Sequence, residues 1–154
     1  MSAREFTIEE ANALVPRLSE VVGDQLTIGD EIQDLVRLLW KSGTSRRSTM
    51  HQGMQAEVVD ITVYPGDNTE VRLLKRQLSD RVQRYRDGWR RVEAMGAVVK
   101  DTSAGLLDFY GRVDGRSVWL CWRYGEVAID HYHELDEGFE GRKPLASVRG
   151  RQLN

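Results

Sequence analysis

Most of the side chains that could do chemistry collect in one stretch, SVWLCWRYGEVAIDHYHELDEGFEGR, from Ser117 to Arg142. The only cysteine, Cys121, stands close to Trp119 and Trp122. His131 and His133 are one residue apart, Glu134 and Asp136 follow, and Arg142 comes after Gly138 and Gly141. Imidazole and carboxylate ligands suit zinc or another divalent ion, so His131 and His133 with Glu134 or Asp136 form a candidate metal set. The spacing permits this without demanding it, because no HExxH or paired CxxC accompanies it. The competing reading has both histidines ending a sheet, hydrogen-bonded to a carboxylate or a backbone carbonyl.

Two other chemistries are weaker. A nucleophilic Cys121 needs a base or a cation beside it. Arg123 shares its strand face, but Asp108 is expected directly opposite and raises the thiol pKa, while the tryptophans indicate packing. Arg142, in a loop that its glycines allow to turn tightly, could grip a carboxylate or phosphate. An internal clamp outweighs that use, with Arg142 paired to Glu126, Asp136 or Glu137. If the segment is functional, His133 is the ligand or general base, the acids are co-ligands and Arg142 is the anion contact.

The elements that must position these residues are legible in the periodicity. Thr7 and Glu10 form a capping box, with Phe6 one residue ahead. Pro16 biases Val15 away from helix, so a helix over 7–40 is expected to kink there. Ala11, Val15, Leu18, Val22, Ile32, Val36 and Leu39 keep heptad spacing, with Gln25 and Gly29 interrupting. Residues 41–67 are expected to be a mobile loop containing a short strand within EVVDITVY. Asp67 with Glu70 makes a second cap for a helix over 68–95, whose buried line is Val71, Leu74, Leu78, Val82, Tyr85, Trp89 and Val92. Gly96 suits the position after its C-terminus. The first 41 residues carry eight acids and four bases, and residues 70–95 carry four acids and eight bases. That contrast favours an antiparallel helix pair over a nucleic-acid stripe.

From 97 to 134 the period becomes alternating. Asp114-Gly115 is a two-residue hairpin turn, because both positions need positive φ. Its register places Val113 opposite Arg116, Phe109 opposite Leu120, Asp108 opposite Cys121 and Leu107 opposite Trp122. Leu107, Phe109, Val113, Val118, Leu120 and Trp122 then form the core face. If a second two-residue turn at Tyr124-Gly125 follows, Ile129 lies opposite Leu120. Val127, Ile129, His131 and His133 then face the core, and Cys121 points away from His133. Residues 135–154 are a C-terminal loop and tail.

FTIEEANALVPRL, KDTSAGLLDF and VWLCWRYGEVAIDHYHELDEGFEGRKPL together resemble a family of small bacterial proteins catalogued as a domain of unknown function. The resemblance covers nearly the whole chain. It implies that Asp108, Cys121, Trp122, Gly125, Glu126, His133, Gly138 and Arg142 hold signature positions, and it leaves His131 outside that set. It implies no reaction.

With 154 residues, 40% of them hydrophobic and a net charge of −2, the chain is expected to be one domain with a sizeable core and no field to attract nucleic acid or anionic lipid. It has no apolar run of roughly 18 residues and no secretory h-region, and one cysteine cannot bridge within the chain. A cytoplasmic location is expected. The fold class is α+β, a long antiparallel helix hairpin packed on a small antiparallel β-meander. The function expected first is a structural or interaction module, with apolar helix surface left for a homodimer. The alternative is a divalent-metal- or anion-binding protein, hydrolytic if the metal is catalytic, using HELDEGFEGR.

Overall fold

Asp114 and Gly115 adopt φ values of 54° and 76°, which closes a tight hairpin between β4 (Leu106–Val113) and β5 (Arg116–Arg123). Every pairing expected from that turn is present, from Val113 with Arg116 to Leu107 with Trp122. The computed structural model describes residues 4–43, 45–49 and 55–148. The order is α1 (Ile8–Ala13), α2 (Val15–Lys41), β1 (Ser45–Thr49), β2 (Gln55–Val59), α3 (Thr69–Ala94), β3 (Val98–Asp101), β4, β5, β6 (His131–His133) and β7 (Lys143–Pro144). The fold is α+β. Strands β3 to β7 form one five-stranded antiparallel sheet in sequence order.

The chain divides into two compact units, residues 1–26 with 88–154 and residues 27–87, and α2 and α3 contribute to both. The first unit holds the sheet. Thr7 caps α1 by accepting the Glu10 amide at 3.1 Å. Phe6 donates its amide to the Tyr110 carbonyl and sets its ring edge-on against Phe109, which ties the chain start to the sheet. Around Phe109 the expected core face is buried: Leu107, Val113, Val118, Leu120 and Trp122, with Val15, Leu18, Val22, Trp89 and Val92 from the helices. Gln25, which breaks the apolar heptad, is also buried. Its amide fills the space beside Gly88, where a Cβ would come within 1.9 Å of it.

In the second unit, Leu39 of α2 clusters with Val71, Leu74 and Leu78 of α3, and Ile32, Leu35, Val36, Val59 and Val82 pack around them. Two expectations change here. The stretch over 41–67 contains a paired two-stranded ribbon, β1 with β2, because backbone pairing from Ser45–Val59 to Thr49–Gln55 overrides the polar composition. Residues 50–54 and the tail beyond 148 lie outside the described residues. The α3 cap is Asn68, which accepts the Val71 amide, whereas Asp67 accepts the Tyr64 amide and pairs with buried Lys75. Lys75 also donates to the Thr62 carbonyl, so a lysine on the buried line anchors the segment before the helix. Among the described residues no helix is long and apolar enough to cross a membrane.

Candidate metal centre

The strand that carries the two histidines sits on the face opposite to the one expected. Leu120 pairs with Tyr132 and Cys121 with His131, so the strand is offset by three residues from the register that would place Ile129 at Leu120. An odd offset exchanges the two faces of a strand. The cause is a longer connection. Gly125 turns at φ 100°, Glu126 caps the Arg123 amide through its carboxylate, and its carbonyl accepts Trp122 Nε1–H. The Ile129 amide then binds Asn12 of α1, which holds Ile129 in the core ahead of the strand. Val127, expected in the core, is 94% exposed in this loop. Tyr132 takes the core side, and His131 and His133 join Cys121 and Asp108 on the other.

That exchange assembles a site. Asp108 and Cys121 face each other across β4 and β5, and His133 comes from β6. One ligand atom from each of the three lies within 4.8 Å of the others. All three are enclosed, at 2%, 0% and 1% exposure. Among the described residues this is the one such group of three metal-binding side chains. His133 Nδ1 is 3.0 Å from the Glu134 carbonyl oxygen, which can only accept, so Nδ1 carries a hydrogen. The other nitrogen, Nε2, is 2.9 Å from Asp108 Oδ2. A proton must lie between Nε2 and Oδ2, whether held as imidazolium or as carboxylic acid. Burial pushes the Asp108 pKa up, against the pull of His133, which favours keeping that proton. Lys100 and the Cys121 thiol also pull it down.

Asp108 Oδ1 has no hydrogen-bond partner of normal geometry, and the Cys121 thiol meets the carboxyl only as a weak S–H donor. A buried oxygen left this way costs about 1–3 kcal/mol. Burial first, and Asp108 second, push the Cys121 thiol up to about 12. The metal-free thiol is therefore protonated and a poor nucleophile.

Beside this group lies a second one. Arg142 donates to Glu126 through both terminal nitrogens, to His131 Nδ1 at 2.7 Å, and weakly to Cys121 Sγ at 3.9 Å. Phe139 lies under its guanidinium, 4.7 Å away. The expected Arg142 clamp is therefore made with Glu126. Since Arg142 donates to His131 Nδ1, that histidine is neutral, with its hydrogen on Nε2. His131 belongs to the clamp and stands outside the group of three, so the metal pair His131 and His133 is not what the structure brings together. Glu134, one residue past the end of β6, pairs with Arg116 and Lys143. Asp136 is exposed. The expected site thus divides into an Asp108–Cys121–His133 group, an Arg142–Glu126–His131 clamp, and two acids outside both.

The aspartate–glycine register already set Asp108 against Cys121. His133 joined them only through the length of the 124–130 connection, which local spacing did not reveal.

No curated protein and no solved structure matches the chain. A family model described as an uncharacterized conserved protein (DUF2203) matches residues 4–145, with Asp108, Cys121, His133 and Arg142 inside the match, and the chain belongs to that family.

Proposed function

We propose that the protein is a structural or interaction module whose sheet is pinned by one divalent metal ion held by Asp108, Cys121 and His133. The observation that carries this is the unpartnered Asp108 Oδ1 in a fully buried group whose histidine is already oriented for ligation. A carbonyl holding Nδ1–H, as Glu134 holds that of His133, is the usual support of a metal-binding imidazole and directs the Nε2 lone pair at the ion. Thiolate, imidazole and carboxylate together suit zinc. With Asp108 bidentate, the three side chains supply four donor atoms.

Charge balance supports the same reading. Without metal the group holds a thiol proton and the proton between Asp108 and His133, and its net charge is zero. Replacing those two protons by one divalent ion leaves it zero, so occupancy adds no unpaired buried charge. The enclosure of all three ligands favours a structural ion over a hydrolytic one, and Arg142, with its donors engaged by Glu126 and His131, favours the clamp over an anion site.

Titration with cobalt(II) tests the site, because a thiolate–cobalt charge-transfer band in the near ultraviolet reports Cys121 ligation. The expected result is one ion per chain with release of about two protons at neutral pH. A saturating titration without the thiolate band, or with the band retained in Cys121→Ala, would contradict the assignment.

A further inference from the structure

We infer that the α2 and α3 segments of the second unit, residues 27–41 and 69–87, form a self-association surface whose partner is a second copy of this chain, docked by two-fold symmetry across the groove between them. Glu31, Asp34 and Leu35 of α2 and Gln77 and Arg81 of α3 line a shallow groove of about 220 Å³. The Glu31–Arg81 ion pair crosses it. With Leu39 of α2 clustered with Val71 and Leu74 of α3 further along, that pair makes the two helices antiparallel neighbours, so positions rising along α2 match positions falling along α3. Leu38 follows Asp34 by four residues and Leu73 precedes Gln77 by four, so each continues its own rim on the same helix face and towards the same end. Both are open to solvent, Leu38 at 46% and Leu73 at 56%. Together they put an exposed apolar side chain on each rim of one groove, where a partner surface could cover both.

Charge selects the occupant. Within the second unit α2 carries three acids and two bases over residues 27–41, whereas α3 carries three acids and six bases over residues 69–87. Glu31 and Asp34 stand on the groove itself. Arg76 of α3 and Asp30 of α2 make no ion pair among the described residues. An acidic helix beside a basic one forms a self-complementary face, because a two-fold rotation lays α2 of one copy along α3 of the other on both sides at once. A uniformly basic or acidic partner would meet repulsion from one of the two helices. Leu38 and Leu73 then pack against their counterparts at the centre, and the charges form the rim.

Light scattering on the full chain tests this. The wild type is expected at twice the 17.6 kDa of the chain. Leu38→Glu and Leu73→Glu should each weaken self-association by about tenfold or more while the far-ultraviolet circular dichroism stays unchanged. Should either fold poorly, the surface change Arg76→Glu should weaken the dimer and Asp30→Arg in the same chain should restore it. Val127→Glu, in the first unit, should leave the dimer intact. A monomeric wild type overturns the inference, whether or not α3 then binds a polyanion. So does a dimer that survives both leucine changes, or one that Val127→Glu dissociates.

Discussion

His133 Nε2 lies 2.9 Å from Asp108 Oδ2 between two strands that are not neighbours, and Cys121 of the strand between them completes the group. The contact joins β4 to β6 across β5, so it fixes the position of a strand only three residues long. Removing one partner leaves a polar group buried alone. His133→Ala and Asp108→Ala are each expected to lower the stability of the metal-free protein by about 3–5 kcal/mol in urea unfolding. The double change Asp108→Leu with His133→Met should cost far less than the sum of the two single losses. Single losses below about 1 kcal/mol would mean that the pair does not hold the strand.

The Arg142 clamp should resist a charge-conserving change. Arg142 makes two bonds to Glu126 and a third to His131, a fork that a lysine cannot reproduce. Thermal unfolding should show a loss of about 1–3 kcal/mol for Arg142→Ala, with Arg142→Lys recovering less than half. Full recovery by lysine would reduce the clamp to simple charge pairing.

Gly111 is where β4 admits the chain start. A Cβ there would meet the Phe6 carbonyl oxygen at 2.8 Å and Leu120 Cδ1 at 2.8 Å. Gly111→Ala is therefore expected to destabilise by about 1–3 kcal/mol, although alanine in a strand otherwise favours folding over glycine. A neutral or stabilising change in urea would show that the Phe6 bridge can yield.

The segment before α3 should loosen in acid. The Tyr64 hydroxyl, and then the Thr62 amide, hold the Asp60 pKa down from 3.8 to about 2, and Lys75 lowers that of Asp67. Both folded values are depressed, so their stabilising effect is complete above the unfolded value of 3.8 and is lost as pH falls through the folded values, about 2 for Asp60. Near-ultraviolet circular dichroism of Tyr64 between pH 4 and about 2 should change in the wild type, and Asp60→Asn should reduce that change. Identical curves would remove Asp60 from the acid response.

The parts of the molecule read correctly from sequence were those set by local chemistry. Thr7, Gly96 and the Asp114-Gly115 turn each impose a backbone conformation within a few residues, and the β4–β5 register followed from the turn alone. Where the outcome depended on distant partners, local reading failed. Asn12 of α1 reaches the Ile129 amide 117 residues away and helps delay β6, which sends both histidines to the face opposite to the one expected. Lys75 is buried because Thr62 and Asp67 meet it, and nothing in its own helix marks it. Asp108 and Cys121 were placed together from sequence, yet His133, which completes the group of three, was assigned to the wrong side.

Metal content of untagged protein is the most direct measurement. Elemental analysis of protein purified without chelator should find one zinc or similar divalent ion per chain, and Cys121→Ala and His133→Ala should each abolish it. Added zinc at about one hundred times its dissociation constant should stabilise the metal-free wild type by about 2.7 kcal/mol. Well-folded wild type that holds no metal, and whose unfolding zinc leaves unmoved, would contradict the assignment.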